Sequence, residues 1–350
     1  MLTVVLPDLA VPLAPLTTLR LGGPARQLVD AETADEVVEA LREPALVIGG
    51  GSNLVIADEG WPGTVVRIST RGRRVERRPD GSVLLTVEAG EEWDDVVAAT
   101  VADGLGGLEC LSGIPGRTGA VPVQNVGAYG VEIADALVDV DLLAGGVVRR
   151  VPAADLGLAY RTSVLKGRSD AVVLRVRIAL PGDALSAPVR YAELARALGV
   201  APGERVPAAV ARETVLGLRR GKGMVLDPAD HDTWSAGSFF TNPVVADGEL
   251  AGVLAAIETR LGDVLVPQYP ADGGTKLSAG WLIERAGFSK GYPGENAVAR
   301  LSTKHTLALT NRGAAKSEDL LALARDVRDG VQAAFGVRLE PEPVTVGCAI

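Results

Sequence analysis

Cysteine and histidine are scarce in this sequence of 350 residues. It contains two cysteines, Cys110 and Cys348, and two histidines, His231 and His305. Two cysteines so far apart argue against a disulfide framework and a metal cluster, so we expect reduced thiols and no bound metal. A nucleophilic serine would also find few bases to accept its proton, which argues against an acylating serine enzyme.

Net positive charge and long apolar runs are missing as well. The formal charge of −9 argues against a general binder of nucleic acid or anionic membranes. No window approaches 18 uninterrupted apolar residues, so we expect no membrane insertion. Residues 1–20 lack a basic region and contain three prolines and Asp8, which is not the pattern of a signal peptide. We therefore expect a cytoplasmic globular protein and a monomer.

Short strand and helix patterns follow one another in irregular order, which favours an α+β fold over a doubly wound sheet. Thr33 and Glu36 form a capping-box pattern at the start of a helix predicted near residues 34–43. A hairpin is predicted across Gly145 and Gly146, between two runs of apolar residues.

The second half of the chain begins after a stretch rich in proline, glycine and alanine. This stretch, residues 183–206, is predicted to connect two domains. Helical spacing predicts a long helix over residues 317–335, followed by a last strand over residues 337–347.

Two glycine-rich stretches could hold a ligand. They are GGGSN, residues 49–53, and SGIPGRTGAVPVQNVGAYG, residues 112–130. Glycines let backbone N–H groups approach a ligand, and successive amides can form a nest for an anion. Neither stretch has the P-loop or Rossmann pattern. The first could equally be a plain turn, whereas Gln124, Asn125 and Tyr129 equip the second for a pyrophosphate and a planar ring.

Five motifs carry a resemblance to a known family: GGGSN, GIPGRTGAVPVQNVGAYG, YRTS, SAGSFFTNP and LEPEP. In this order they closely resemble the UDP-N-acetylenolpyruvoylglucosamine reductase (MurB) family, from about Thr17 to the last strand. The resemblance implies a vanillyl-alcohol-oxidase/PCMH-like FAD-binding domain with two subdomains, residues 1–182. It also implies a smaller α+β substrate-binding domain, residues 207–335, and a terminal strand with a catalytic glutamate, residues 336–350.

The resemblance implies that FAD is bound without a covalent link and that the two glycine-rich stretches hold it. NADPH would be the hydride-donating co-substrate. The implied cofactor-binding residues are Gly49, Gly50, Gly51, Ser52, Asn53, Gly113, Ile114, Pro115, Gly116, Thr118, Gly119, Gln124, Asn125, Gly127, Ala128 and Tyr129.

The family reaction belongs to peptidoglycan synthesis and reduces an enolpyruvyl ether to a lactyl ether. Ser238 matches the family's proposed proton donor, and a serine can protonate a carbanion without a histidine because the carbanion is a strong base. Arg161 matches an arginine that pairs with the substrate carboxylate and stabilises the enolate. Glu342 matches an essential carboxylate. Without the resemblance, Arg161 and Glu342 would be read as solvated surface residues.

The implied substrate is UDP-N-acetylglucosamine enolpyruvate. Two departures from the enterobacterial-like pattern concern this site: residues 229–234, ADHDTW, are inserted before Ser238, and His305 stands where a glutamine is expected. His231, inside the insertion, is expected to be a loop residue. The implied substrate-binding residues are Tyr160, Tyr191, Lys222, Asn242, Tyr269 and Lys276, and Tyr191 resembles the tyrosine of a mobile loop.

Two other functions stay open on the sequence. One is an FAD-dependent sugar or hydroxy-acid oxidase of the same superfold, in which Cys110 could anchor the flavin. The other is a non-catalytic nucleotide-binding regulator, although a regulator has no use for a proton donor such as Ser238.

Overall fold

Strands and helices alternate irregularly through residues 10–350, the part of the chain that the computed structural model describes. The expectation about a signal peptide concerns residues 1–20, of which residues 1–9 lie outside the described part. The α-helices of the described part are α1 (Ala34–Ala40), α2 (Trp93–Ala102), α3 (Ala192–Leu198), α4 (Ala208–Gly221), α5 (Asp247–Leu261), α6 (Ala279–Ala286) and α7 (Ser317–Phe335).

Most of the strands are short. They are β1 (Val11–Pro12), β2 (Pro24–Ala31), β3 (Ala45–Ile48), β4 (Leu54–Ile56), β5 (Trp61–Ile68), β6 (Arg73–Arg77), β7 (Val83–Glu88), β8 (Gly127–Ala128), β9 (Val131–Glu132), β10 (Leu137–Ala144), β11 (Val147–Pro152), β12 (Ala171–Leu180), β13 (Val244–Val245), β14 (Gln268–Ala271), β15 (Gly274–Leu277), β16 (Ala299–Leu301), β17 (Leu309–Asn311) and β18 (Val344–Val346). Among the described helices, none is both long and apolar enough to cross a membrane.

The chain folds into two units whose boundaries differ from the predicted domains. The first unit is built from Ala25–Gly51 and Trp61–Val225, and the second from Pro12–Pro24, Ser52–Gly60 and Leu226–Ile350. Helix α4, which was predicted to open the substrate-binding domain, therefore lies in the first unit. An amphipathic pattern predicts that a helix buries one face, but not which core receives it.

A five-stranded antiparallel sheet, in the order β11-β10-β12-β7-β6, organises the first unit. One of its cores includes Trp93 of α2 and Val215 of α4. Another includes Leu143 and Leu174 of the sheet, together with Val66 of the parallel strands β2, β5 and β3. Neighbouring residues of a strand face opposite sides, so a single sheet can contribute to two cores.

The second unit has one core formed by α5, α6, α7 and several short strands. Helix α7 buries residues at helical spacing, including Leu320, Val327 and Phe335. Strand β18 pairs in parallel with β4, which brings the end of the chain beside the segment that follows the first glycine-rich stretch.

The local predictions can be compared with these elements. The capping box of Thr33 and Glu36 is confirmed, as are the bounds of α7 and the hairpin between β10 and β11. The last strand is shorter than predicted. Before β18 the stretch forms a single antiparallel bridge, between Pro341 and Phe240, and Pro341 and Pro343 have no N–H to donate to a longer ladder. The predicted connecting stretch contains helix α3.

Candidate active site

The turn after β3 packs directly against the second glycine-rich stretch. A Cβ built on Gly50 would lie 2.6 Å from the Cα of Gly116, closer than side chains tolerate. A Cβ built on Gly49 would lie 3.5 Å from the Cβ of Arg117. Gly51 has a φ of 60°, which favours glycine. The two predicted stretches therefore meet within the first unit, and the contact requires glycine.

Charged side chains form hydrogen bonds with both backbone polar groups of Gly113, its N–H and its carbonyl. The N–H of Gly113 donates to Asp94 Oδ1 at 2.6 Å, and its carbonyl accepts from Arg219 Nη2 at 3.3 Å. Arg212 donates two further bonds to Asp94, at 2.6 and 3.0 Å. Burial opposes the charged form of Asp94, but the hydrogen bonds from Arg212 and Gly113 outweigh it and lower the pKa. The start of the stretch is thus anchored by α2 and α4.

The middle of this stretch forms a 3-10 helix, Thr118–Gln124. The N–H of Thr118 donates to the carbonyl of Glu91 at 2.9 Å, and the N–H of Gly119 donates to that of Ala89 at 2.8 Å. These two amides are used inside the protein, so they do not contribute to an anion nest. The stretch presents a fixed backbone surface instead.

Asn125 shapes the next part of the stretch from a left-handed conformation with a φ of 46°. Its Nδ2 donates to Glu132 at 2.6 Å and to the carbonyl of Ala159 at 3.2 Å, and its Oδ1 accepts from the N–H of Ala134 at 3.1 Å. The buried amide group therefore bonds with protein at both ends. Its role in cofactor binding stays a prediction, and the structure supports positioning of the neighbouring backbone.

Tyr129 stands at the tip of the β8–β9 hairpin with a φ of 52°. Its ring lies 5.5 Å from the ring of Tyr191, edge to face, and 5.8 Å from Lys222 Nζ. Lys222 forms an ion pair of 2.5 Å with Glu193, which sequence reasoning missed. Burial raises the pKa of Tyr129 to about 12, so its phenol is neutral at physiological pH. Two aromatic rings and a lysine thus form one cluster.

Arg161 lies beside the same hairpin. Its Nη2 donates to the carbonyl of Gly127 at 2.8 Å, and its guanidinium lies 5.2 Å from the ring centre of Tyr160. The backbone of Arg161 has a φ of 55°, and its carbonyl accepts from Lys166 Nζ at 3.0 Å. A non-glycine residue in the left-handed region is strained, and such strain clusters at functional sites.

The Ser238 and Glu342 segments are paired in the second unit. The N–H of Glu342 donates to the carbonyl of Phe239 at 2.9 Å, and the N–H of Phe239 donates to the carbonyl of Leu307 at 2.7 Å. Asn53 Nδ2 lies 3.4 Å from the carbonyl of Glu342. Both Ser238 and Glu342 are half-buried. The structure therefore brings these two predicted catalytic residues and Asn53 to one place.

The predicted substrate-binding residues of the second unit lie on or beside a small sheet, in the order β13-β15-β14. Tyr269 and Lys276 are partners in the register of β14 and β15. Asn242, just before β13, accepts a hydrogen bond from the N–H of Ala279 at 2.9 Å, at the start of α6. Tyr269 and Lys276 therefore lie side by side on this sheet, and Asn242 lies next to its strand β13. Contacts of these three residues with a substrate stay a prediction.

The inserted residues 229–234 join the loop that carries His305. The buried carboxylate of Asp232 accepts from the N–H and the hydroxyl of Thr303, at 2.9 and 2.5 Å, and from Arg312 at 2.9 Å. His231 packs edge to face on Trp234, with 4.4 Å between ring centres. The inserted residues therefore stabilise the loop at Thr303 through hydrogen bonds to Asp232.

Cys110 is 1% exposed, and burial raises the pKa of its thiol to about 12. A thiol of this kind is a poor nucleophile, which disfavours a covalent link to a flavin through Cys110. Within residues 10–350, no group of three or more histidine, cysteine, aspartate or glutamate side chains has the arrangement of a metal site.

Sequence reasoning missed the charged residues that hold the glycine-rich stretches. The available signal was a single arginine within an otherwise glycine-rich and apolar segment, at position 117. The other members come from distant parts of the chain, where only tertiary structure joins them; they are Asp94, Arg212 and Arg219.

Family models match most of both halves of the chain. A model of the FAD binding domain matches residues 25–151, and one of the UDP-N-acetylenolpyruvoylglucosamine reductase C-terminal domain matches residues 227–346. The UDP-N-acetylenolpyruvoylglucosamine reductase of Saccharopolyspora erythraea is 66% identical over 348 residues, which cover 97% of this chain and 95% of that protein. The chain belongs to the UDP-N-acetylenolpyruvoylglucosamine reductase family. The family protein of Nocardia farcinica is 61% identical over 346 residues, covering 97% and 89% of the two chains.

A solved member of the family has the same fold. The crystal structure of UDP-N-acetylenolpyruvylglucosamine reductase (MurB) from Thermus caldophilus matches with a TM-score of 0.66 and 28% identity, covering 97% of this chain and 98% of that one. The predicted family, the α+β fold with an FAD-binding domain and the oxidoreductase class are confirmed.

The matched FAD-binding region fits its cofactor. Gly50 packs so closely on Gly116 that a Cβ would not fit, and this contact fixes the backbone of the two stretches that are predicted to hold FAD. Tyr129 and Asn125 add an aromatic ring and a positioned polar turn.

Proposed function

We propose that the protein reduces UDP-N-acetylglucosamine enolpyruvate to UDP-N-acetylmuramate for peptidoglycan synthesis, using NADPH and a non-covalently bound FAD. Membership of the reductase family supports this function. The observation that carries the proposal is the backbone pairing of the Ser238 and Glu342 segments. A nucleotide sugar and NADPH are cytoplasmic metabolites, so we propose the cytoplasm as the site of the reaction.

When bound, FAD would supply the hydride-transfer chemistry for reduction of the enolpyruvyl double bond. The protein must then stabilise the enolate and deliver one proton. We assign proton delivery to the hydroxyl of Ser238, which needs no histidine because the carbanion is strongly basic. Glu342, whose N–H bonds to Phe239, is proposed to polarise the enol or to restore the serine proton.

The first unit is proposed to bind the anionic parts of the substrate. Arg161 is proposed to pair with the enolpyruvyl carboxylate, because a guanidinium offers two parallel donors to a carboxylate. Lys222 is proposed to bind a phosphate of the nucleotide, after exchanging its ion pair with Glu193. Tyr129 and Tyr191 supply aromatic surface beside it.

The substitution Ser238→Ala tests the assigned proton donor. We expect reduction of bound FAD by NADPH to remain within about twofold of wild type, because that step needs no proton from Ser238. Reoxidation by the enolpyruvyl substrate should slow by about 10²- to 10⁴-fold, the usual range for loss of a general acid. Both half-reactions can be followed anaerobically by flavin absorbance in a stopped-flow instrument.

The matched control is Thr241→Ala in the same segment, where the hydroxyl bonds to the carbonyl of Glu340 at 3.3 Å. It should leave both half-reactions near wild type. Equal losses of both half-reactions in Ser238→Ala would contradict the assignment. Rapid reoxidation by oxygen without any response to the enolpyruvyl substrate would favour the oxidase alternative, and flavin retained after denaturation would contradict non-covalent binding.

A further inference from the structure

Arg117 is a charged residue in the middle of a glycine-rich segment, yet it is only 8% exposed. Its Cβ lies 3.5 Å from where a Cβ on Gly49 would be, and its N atom lies 3.4 Å from that position on Gly50. The residue therefore stands where the two glycine-rich stretches meet. A buried arginine is costly unless its donors find acceptors, so its position requires an explanation.

The guanidinium of Arg117 connects two further segments. Its Nη1 donates to the carbonyl of Ile68, at the end of β5, and to Ser69 Oγ at 2.8 Å. Its Nε donates to Glu92, the residue before α2, at 3.3 Å. One side chain thus links the end of β5 and the start of α2 to the contact between the glycine-rich stretches.

The carboxylate that pairs with Arg117 is open to solvent, whereas the guanidinium is buried. Glu92 is its carboxylate partner, and that side chain is 44% exposed. Burial is the largest influence on Arg117 and lowers its pKa, Glu92 acts in the opposite direction, and the positive charges of Arg67 and Arg71 lower it further. A buried cation gains free energy when an anion binds nearby, because the low dielectric constant around it strengthens the attraction.

We propose that Arg117 is a positioning residue of the FAD cradle, which holds the second glycine-rich stretch, where it meets Gly49 and Gly50, against the end of β5 and the start of α2, and whose positive charge favours binding of the cofactor's diphosphate. The inference rests on FAD being the cofactor. The planar fork of the guanidinium performs the first task, through Ile68, Ser69 and Glu92. Its positive charge performs the second.

The test compares three variants of the full chain after removal of flavin. Arg117→Met loses both the fork and the charge, and Arg117→Lys keeps the charge alone. Arg74→Gln is the matched control, because Arg74 lies on β6 of the same unit and pairs with Glu76 at 3.6 Å from an exposed position. The dissociation constant of added FAD is measured by flavin fluorescence at low and high salt, and folding of each apoprotein is checked by circular dichroism.

We expect Arg117→Met to raise the FAD dissociation constant by about 10- to 100-fold, the equivalent of losing buried charged hydrogen bonds. Arg117→Lys should recover part of this loss, and Arg74→Gln should stay within about twofold of wild type. Salt should weaken FAD binding more in the wild type than in Arg117→Met, because it screens the charge that the variant lacks. A purely structural arginine would not change the salt dependence.

Equal FAD affinity in Arg117→Met and Arg74→Gln would overturn the inference, and so would an unchanged salt dependence. If Arg117→Met fails to fold, Arg117→Lys decides by the same comparison: affinity equal to the control overturns the inference, and reduced affinity with retained salt dependence supports it. Wild-type apoprotein that binds no FAD would overturn the proposed cofactor itself, which distinguishes the two failures.

Discussion

The glycine-rich stretch of the first unit, residues 112–130, and the serine segment of the second, residues 234–243, are held in place differently. Charged side chains hold the glycine-rich stretch, through Asp94 at one point and Arg117 at another. The serine segment is held by its own buried phenylalanines and by backbone hydrogen bonds, such as the bond from Phe239 to Leu307.

The difference follows from composition. The glycine-rich stretch also buries apolar side chains, such as Val121, but its glycines add none. Charged groups therefore hold the backbone around the glycines, because such groups form strong hydrogen bonds with N–H and C=O groups. Phe239 and Phe240, which are 0% and 1% exposed, anchor the serine segment through burial of apolar surface. Salt and pH should therefore affect the first segment and leave the second largely unchanged.

The largest effect is expected for Phe239→Ala. Removing this fully buried ring leaves a cavity beside Ser238, and we expect a loss of about 4 kcal/mol in the free energy of unfolding. Urea unfolding at low and high salt should give the same loss at both, because the interaction is apolar. Leu265→Ala is the control, since this leucine is 93% exposed and its truncation should change little. A loss that depends strongly on salt would contradict the conclusion that apolar burial, and not charge, anchors the serine segment.

A smaller effect is expected for Asp232→Asn. Asp232 is a buried carboxylate of the second unit, and its hydrogen bonds stabilise the loop that contains Thr303. The variant replaces one accepting oxygen by an NH2 group and removes the charge that pairs with Arg312, and we expect a loss of about 2 kcal/mol at pH 7. The control is Asp230→Asn in the same insertion, whose partner Lys304 is exposed; it should lose less than about 1 kcal/mol.

The pH dependence of Asp232→Asn has a defined sign. Burial opposes the charged form of Asp232, but hydrogen bonds from Thr303 and the charge of Arg312 outweigh it and lower the pKa below 3.8. A depressed pKa contributes stability above the unfolded value, and this stability disappears as the pH falls through the folded value. The gap between wild type and variant should be complete at pH 6 to 7 and should narrow in acid. The prediction would be contradicted if urea unfolding gave the same gap at neutral pH and in acid, below the pKa of an unfolded aspartate.

The smallest effect is expected for Asp94→Asn. The side chain is 36% exposed, so solvent screening limits the contribution of its pair with Arg212 to about 1 kcal/mol. Unlike the loss in Phe239→Ala, this loss should shrink at high salt. Asp95→Asn, the exposed neighbour on the same helix, is the control. If Asp94→Asn proved salt-insensitive, the proposed role of charge at the glycine-rich stretch would be weakened.

Some features could be predicted because their signals are local or carried by motifs. Thr33 and Glu36 interact across one helical turn, so the capping box was visible in the sequence. The spacing of buried residues in α7 gave its bounds, and five ordered motifs identified the family. Gly145 and Gly146 marked the hairpin because both adopt positive φ, at 57° and 74°.

Other features could not be predicted, since they depend on contacts between distant segments. Helix α4 has an apolar face, but the sequence does not say that Val215 belongs to the core of the first unit. The predicted last strand fails where prolines interrupt it, and Glu342 is held instead by a single bridge to the Ser238 segment. Glu193, the partner of Lys222, carried no sequence signal at all.

The sequence by itself determined the family, the fold class and the residue types available for chemistry, because local spacing and ordered motifs survive without coordinates. Only the tertiary structure decided which residues act together. The pairing of Ser238 with the Glu342 segment and the burial of Arg117 between two glycine-rich stretches depend on long-range packing. Their free energy comes from hydrogen bonds and burial between segments that the linear order keeps apart.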